Sequence, residues 1–485
     1  MAEISRRGLF QLSGMAAAGA MLTGCGDGAG SGKSAGGGAK SIKWWDHFNP
    51  LKELQAETFA AVQKDAGISV QYTLHQTAKM GEALQLARQS NQLPDVHSNV
   101  GLKLPIPALI ADGWYQPLQL SPEAEAKIDK STLIEGVTSI DGKLYSFPIF
   151  NARQYWAAIW FNKELVEKAG LDPANPPQTY DEFRAAAKTA QEKAGDAHGW
   201  INNLGQPDRI AEQTHFMAQA AGFGGNLGQD FKTGEYVFHS DPYVGVIEFM
   251  LSLQKDRLLM PGTNNMNDKV ARARWATGAA VYYMDGPWCA GVVKQDMAKF
   301  SDKLDVGPML VPDKGMPVTA YRGPQGGAFW VSGKSGRADL ASKVLERLLT
   351  PEYAAGLAAR MDQPPADLSV LEKADVHPAY KKLIDRFQDE CFVAPIPVAK
   401  NPEVSKVQRE TKDVKPGLGD IVQGAFSGDV ADVRKALKEL SDKSNKERDR
   451  AFAAAKTKGA KVEENDFMFA NWKPRTDFTK AMYAG

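Results

Sequence analysis

The stretch Ser41-Ile42-Lys43-Trp44-Trp45 is followed by Leu51, Leu54, Thr58, Phe59 and Val62 at helical spacing. A buried strand running into an amphipathic helix begins an α/β unit. Ile68, Val70, Tyr72 and Leu74 then alternate as a half-buried strand, Met80, Ala83, Leu84 and Ala87 mark a second helix, and Pro94-Asp95-Val96 leads a third strand. This βαβαβ order predicts a mostly parallel sheet covered by helices. In such sheets ligands sit beyond the carboxyl ends of the strands. Those ends carry Asp46, His47, Phe48 and Asn49 after the first strand, and Ser98, Asn99 and Gly101 after the third. Trp44 and Trp45 must face opposite sides of their strand, so one of them belongs to the core.

Farther along, Phe147-Pro148-Ile149-Phe150-Asn151 reads as an extended apolar segment, and Trp156 to Asn162 as a new strand. Helical patterns cover Tyr180 to Glu192 and Ala211 to Ala221. A Gly-dense strand, Gly323 to Val331, precedes a helix with Leu340, Val344, Leu345 and Leu348 on one face. The last long helix runs near Val430 to Lys456. Beyond it, Phe467-Met468-Phe469-Ala470-Asn471-Trp472 is expected to pack back on the body, because a row of exposed aromatics would invite association.

The other end of the chain is an address. Ser5-Arg6-Arg7-Gly8-Leu9-Phe10 resembles a twin-arginine export signal, and the run from Leu9 to Gly24 is too short and too rich in Gly and Ala to span a ~30 Å hydrocarbon core. Leu22-Thr23-Gly24-Cys25 resembles the bacterial lipobox, in which the cysteine carries the lipid and becomes the new N-terminus. Residues 1–24 are therefore expected to be a signal peptide with Cys25 as the lipid anchor, and 25–40, nearly all Gly, Ser and Ala, a flexible linker.

Composition excludes several classes. Of 485 residues, Lys plus Arg and Asp plus Glu each number 58, so no bulk field draws nucleic acid, and none is expected as a partner. The seven histidines and three cysteines show no metal-ligand spacing, and neither a metal nor another cofactor is indicated. Beyond Cys25, Cys289 and Cys391 read best as two buried thiols.

Five segments, in order, carry a resemblance. They are Ile159-Trp160-Phe161-Asn162-Lys163-Glu164-Leu165 with Pro176-Pro177-Gln178-Thr179-Tyr180; Ala276 to Trp288, ending Asp285-Gly286-Pro287-Trp288; Asp305-Val306-Gly307-Pro308; the Gly326-Gly327 strand; and Thr350-Pro351-Glu352-Tyr353. Together they resemble the extracellular solute-binding proteins (family 1) of ABC importers, in the carbohydrate-binding group of maltose-type proteins. The resemblance implies an α/β, two-lobed periplasmic-binding-protein fold (type II-like), each lobe a mostly parallel sheet flanked by helices, with the ligand cleft between. It places residues 41–150 plus 325–393 in the N-terminal lobe and 151–324 plus 394–485 in the C-terminal lobe, with crossings near 148–154, 320–328 and 391–398. It further implies a monomer that binds a mono- or oligosaccharide by hinge closure, hands it to permease membrane subunits, and catalyses nothing.

A sugar needs fixed hydrogen-bond partners for hydroxyls and flat aromatic faces for its rings. Trp45 and Trp288 supply the faces; the resemblance makes Trp288 the stronger, since Gly-Pro-Trp commonly presents that indole to ligand. Asp46, His47, Asn99 and Asn203 supply short polar groups, Asn202 and Gln206 weaker ones. Arg153 at the first crossing offers a fork for hydroxyls or a carboxylate, or else a salt bridge at the hinge, and Asp285 is balanced the same way. Gly326 and Gly327 either let backbone approach the ligand or relieve crowding. Two alternatives stay open: an exported polysaccharide-active enzyme, which needs a carboxylate pair about 5–10 Å apart, or the same fold carrying another solute such as a polyamine.

Overall fold

The computed structural model describes residues 40–484. The export signal, Cys25 and nearly all of the linker lie outside the described residues. Among those described, no helix is long and apolar enough to cross a membrane.

Strand β1 (Ser41–Asp46) buries Ile42, Trp44 and Asp46 and turns the alternate residues outward. It pairs in parallel with β2 (Ser69–Leu74), from Ser41 opposite Ser69 to Asp46 opposite Leu74, and on its other edge with β3 (Val96–His97). A fourth strand, Trp330–Val331, returns from far along the chain to close the sheet antiparallel to β3. The helix Lys52–Ala66 lays Leu54, Phe59 and Val62 on this sheet and stops at Gly67, whose positive φ of 66° suits glycine. Trp44 fills the core between Phe59 and Phe329, while Trp45 leans on His75 outside it.

The second sheet orders β7-β4-β6-β5, built from β4 (Ala158–Asn162), β5 (His198–Ile201), β6 (Ala280–Asp285) and β7 (Leu304–Gly307). Every residue of β4 and β6 is buried, the pattern of central strands covered on both faces. Here the sheet is mixed: β6 runs parallel to β5, but β4 runs against both β6 and β7. The chain enters this lobe by β4 directly from the crossing rather than through a helix, which leaves β4 reversed.

Two pairs of segments join the lobes. Asn151 N–H donates to Pro364 O at 2.8 Å and Ala366 N–H to Ile149 O at 3.0 Å, while β8 (Ala320–Arg322) pairs in parallel with β9 (Cys391–Val393). A crossing near 362–366 thus stands beside those near 148–154, 320–328 and 391–398. The helix Pro378–Glu390, expected with the first lobe, buries Tyr380, Leu383, Ile384 and Phe387 in the core of the second. Its apolar stripe fits either core in pattern, and the strand-like contact of Phe150 with Pro365 fixes which it reaches.

The C-terminal region does not keep to one lobe. The helix Leu418–Ser427 packs on the helix Pro207–Ala220 of the second lobe, whereas Val404–Glu410 packs on Ile106–Ala111 of the first. Phe469, Trp472 and Phe478 are buried with Phe231 and Tyr321, so the aromatic tail does fold back. Cys289 and Cys391 are buried free thiols.

Candidate functional site

A cavity of about 670 Å³ separates the two sheets. From the first lobe it is walled by the turn His47–Pro50, by Thr77, Gly81 and Glu82 of the helix Thr77–Gln89, and by Val100–Lys103. Gly81 and Gly101 touch backbone to backbone; a Cβ on Gly81 would stand 2.6 Å from Gly101 O, so glycine is needed for this wall to close. From the second lobe come Trp156, Gly205 to Arg209 and Glu212 at the start of the helix Pro207–Ala220, Asp268, Arg272 and Trp288, and from the crossing near 362–366 Asp362 and Gln363. Lys103 pairs with Asp208 at 3.2 Å and Asn49 donates to Asp296 at 2.9 Å, two links from one lobe to the other.

The aromatic side is a ladder. Trp156 and Trp288 stand 5.5 Å apart, tilted by 59°. The Arg209 guanidinium lies 4.5 Å from the centre of the Trp288 ring and 5.4 Å from that of Trp156, and Arg322 covers Trp156 at 4.8 Å. Cations over indole faces are held electrostatically, which fixes long side chains in place. Trp288 rests on Gly286, where a Cβ would come within 2.3 Å of the indole. Its Nε1 donates to Asp285 at 2.8 Å. Asp285 in turn takes two bonds from Arg272, at 2.9 and 2.6 Å, in a pair almost sealed from water. Burial works against the Arg272 charge, but Asp285 first, then Tyr283, Asp268 and Cys289, together more than offset burial and hold the guanidinium protonated.

Several groups here have displaced proton affinities. His47 shares a 2.8 Å hydrogen bond with Ser98, and burial, reinforced by the Arg209 charge, lowers it to about 3. It faces the cavity as a neutral donor and acceptor. Burial raises Glu212 to about 7 although Arg209, 3.2 Å away, opposes the shift.

Of the residues singled out by sequence, His47, Phe48, Asn49, Gly101, Gln206 and Trp288 line the cavity together. The others lie elsewhere. Asp46 is sealed beneath its loop, accepting from Trp44, Phe48, Gln55 and Tyr72, because a short carboxylate at a strand end is within reach of its own neighbours. Burial raises it to about 7. Trp45 sits behind the wall with Val100 and Leu102 packed in the same cluster, and Asn99 shapes the loop by accepting from Leu102 N–H. Arg153 binds Cys391 O and forms an ion pair with Asp477, so it ties the C-terminal tail to the hinge. Asn203 is buried beside Gln213, and Asp285 holds Trp288 instead of facing the cavity. Gly327 has no room for a side chain against Ser146, which is the crowding reading, and Gly326 is near Val137. Sequence reasoning missed Trp156, Arg209, Glu212 and Asp362. Only Trp156 carried a signal, as an aromatic just past a crossing.

Two α/β lobes hinged by paired crossings over one polar and aromatic cavity define a two-lobed ligand-binding protein. A family model described as bacterial extracellular solute-binding protein matches residues 57–384, and the chain belongs to that family. Among relatives, it is 29% identical over 168 residues to the sn-glycerol-3-phosphate-binding periplasmic protein UgpB of Agrobacterium fabrum, covering 31% of this chain and 35% of that one. It is 26% identical over 201 residues to the diacetylchitobiose binding protein NgcE of Streptomyces coelicolor, covering 41% of each. The chain thus spans about a third to two fifths of the length of these two curated relatives. An ABC transporter solute binding protein of Thermotoga lettingae, bound with alpha-D-tagatose, superposes with a TM-score of 0.65 at 20% identity, covering 84% of this chain and all of that one, and shares the fold.

Proposed function

We propose that this protein is the substrate-binding component of an ABC importer. It captures a mono- or oligosaccharide by closure of its lobes and delivers it to the permease. The observation that carries this reading is the cavity itself: about 670 Å³, within the ordinary size for small-molecule sites, with the Trp156–Trp288 pair beside His47, Gln206, Arg209 and Glu212. Aromatic faces take sugar rings and the polar groups take hydroxyls. Residues of both lobes line it, so a ligand touching both favours the closed arrangement. Export, cleavage of residues 1–24, lipidation of Cys25 and a monomeric state complete the proposal; two or more acyl chains anchor a protein far better than one.

The carboxyls of Glu82, Asp208, Glu212, Asp268 and Asp362 favour a second reading, a cationic cargo such as a polyamine. Asp208, Glu212 and Asp268 already face Lys103, Arg209 and Arg272, which leaves little free negative charge for it.

A thermal-shift panel of tagatose, maltotriose, diacetylchitobiose, sn-glycerol 3-phosphate and spermidine decides. A sugar at about a hundred times its Kd adds roughly 2.7 kcal/mol to stability, and it should be recovered uncleaved. Shifts from spermidine or the phosphate ester alone overturn the sugar reading. Cleaved glycan overturns the binding-only role.

A further inference from the structure

Asp362 is 3% exposed, lines the cavity, and its Oδ2 has no hydrogen-bond partner among the described residues. Buried carboxyl oxygens are seldom left so, and each such group calls for an explanation. The residue before it, Met361, is forced into the left-handed region at φ 51°, where a side chain is strained. That turn is locked in place: the Arg360 and Met361 carbonyls press on Gly291 of the helix Cys289–Asp296, leaving no room for a Cβ. Strain kept at one spot is a common sign of a residue positioned for a task. The task is not ion pairing, since among the described residues no salt bridge to Asp362 forms, and Gln363 next to it is already taken by Gln154 at 3.0 Å. Asp362 also sits on the crossing between the lobes, where a contact with ligand bears on closure.

We propose that Asp362 is a specificity residue of the cavity, whose carboxylate accepts a hydrogen bond from a ligand hydroxyl and gives up its proton to solvent as the ligand binds. This rests on the sugar reading above. Burial, and then the negative charge of Asp46, raise Asp362 to about 8, while Arg272 and Arg209 oppose the rise. Tyr72, Tyr353 and Tyr380 also feel its charge from the strand β2 and the helices Pro351–Arg360 and Pro378–Glu390. In the empty protein near pH 7 the group is therefore protonated. A donated hydroxyl favours the ionised form, so binding releases a proton and affinity rises with pH between about 6 and 8, by at most about tenfold per pH unit for one proton.

The same arrangement sets the sign for the empty protein. The folded state holds a proton on Asp362 that the unfolded chain releases near pH 4, so this group makes stability fall as pH rises from about 4 to about 8. Asp46 and Glu212, raised to about 7, add to the fall in the same direction.

The test compares the wild type, D362N and E212Q. The sugar of the panel that shifts the wild type most is titrated calorimetrically at pH 6, 7 and 8 in two buffers of different ionisation heat. D362N is expected to melt no lower than the wild type without ligand, to lose less stability from pH 5 to 8, to bind at least tenfold more weakly, and to release no proton. E212Q is expected to keep the release. D362N that melts several degrees lower shows a structural carboxyl and overturns the proposal. So does D362N that binds and releases a proton like the wild type, or E212Q that abolishes the release. A panel in which no sugar shifts even the wild type overturns the sugar reading itself, and with it the hydroxyl acceptor.

Discussion

Replacing Asp285 with alanine is expected to lower stability by about 3–5 kcal/mol, because the buried Arg272 charge loses its close partner and keeps only Asp268, 3.7 Å away. The Arg272 and Asp285 side chains are only 4% and 1% exposed, so water does little for either alone. The loss should appear in urea titration as a lower midpoint. D285A should also lose sugar binding, since the carboxylate that accepts the hydrogen bond from Trp288 Nε1–H is gone and the indole is free to leave its place on Gly286. D285N, which keeps one acceptor oxygen for either the indole or the guanidinium and puts an N–H donor in place of the other, should fall between the two. An alanine variant within about 1 kcal/mol of the wild type would mean that the pair tolerates being broken.

Trp288→Ala carries the second large effect, on affinity. Truncating a central aromatic contact typically costs about 2–4 kcal/mol of binding, which is roughly a 30- to 700-fold rise in Kd. Two causes combine: the ring face is lost, and Arg209, which lies against that ring, loses the surface that holds it toward Glu212. Trp288→Phe keeps a flat face without the indole N–H and should recover much of the loss. Calorimetry with the sugar that shifts the melt separates the two variants. Equal affinity for the alanine variant and the wild type would remove Trp288 from the site.

Much of the fold was legible. Alternation in Ile68, Val70, Tyr72 and Leu74 and the helical spacing of Leu54, Phe59 and Val62 name buried faces directly, and the strands and helices formed where those patterns lie. The helix Pro378–Glu390 was legible as an amphipathic helix but not as a member of the second lobe, since a stripe says that a face is buried and not by what. The site divides the same way. Trp288 stands in a segment whose Gly-Pro turn makes room for its ring. Asp46 has the right chemistry at the right strand end, but Trp44, Gln55 and Tyr72 reach it first. Arg209 and Trp156 are 53 positions apart in the chain and acquire meaning only when folding stacks one on the other. Asp362 lies in Met361-Asp362-Gln363-Pro364-Pro365, which reads as an ordinary turn until its burial is seen.

The central claim is that the lobes close on a sugar, and the distance between them tests it most directly. Leu86 and Val270 are exposed, on the helices Thr77–Gln89 and Asp268–Ala276, which flank the cavity from opposite lobes. Cysteines at these two positions in a Cys25→Ser chain accept spin labels while the buried Cys289 and Cys391 stay unreacted. With saturating sugar the distance distribution between the labels should shift to a shorter, narrower peak. A distribution unchanged by a sugar that demonstrably binds would contradict hinge closure as the way this protein works.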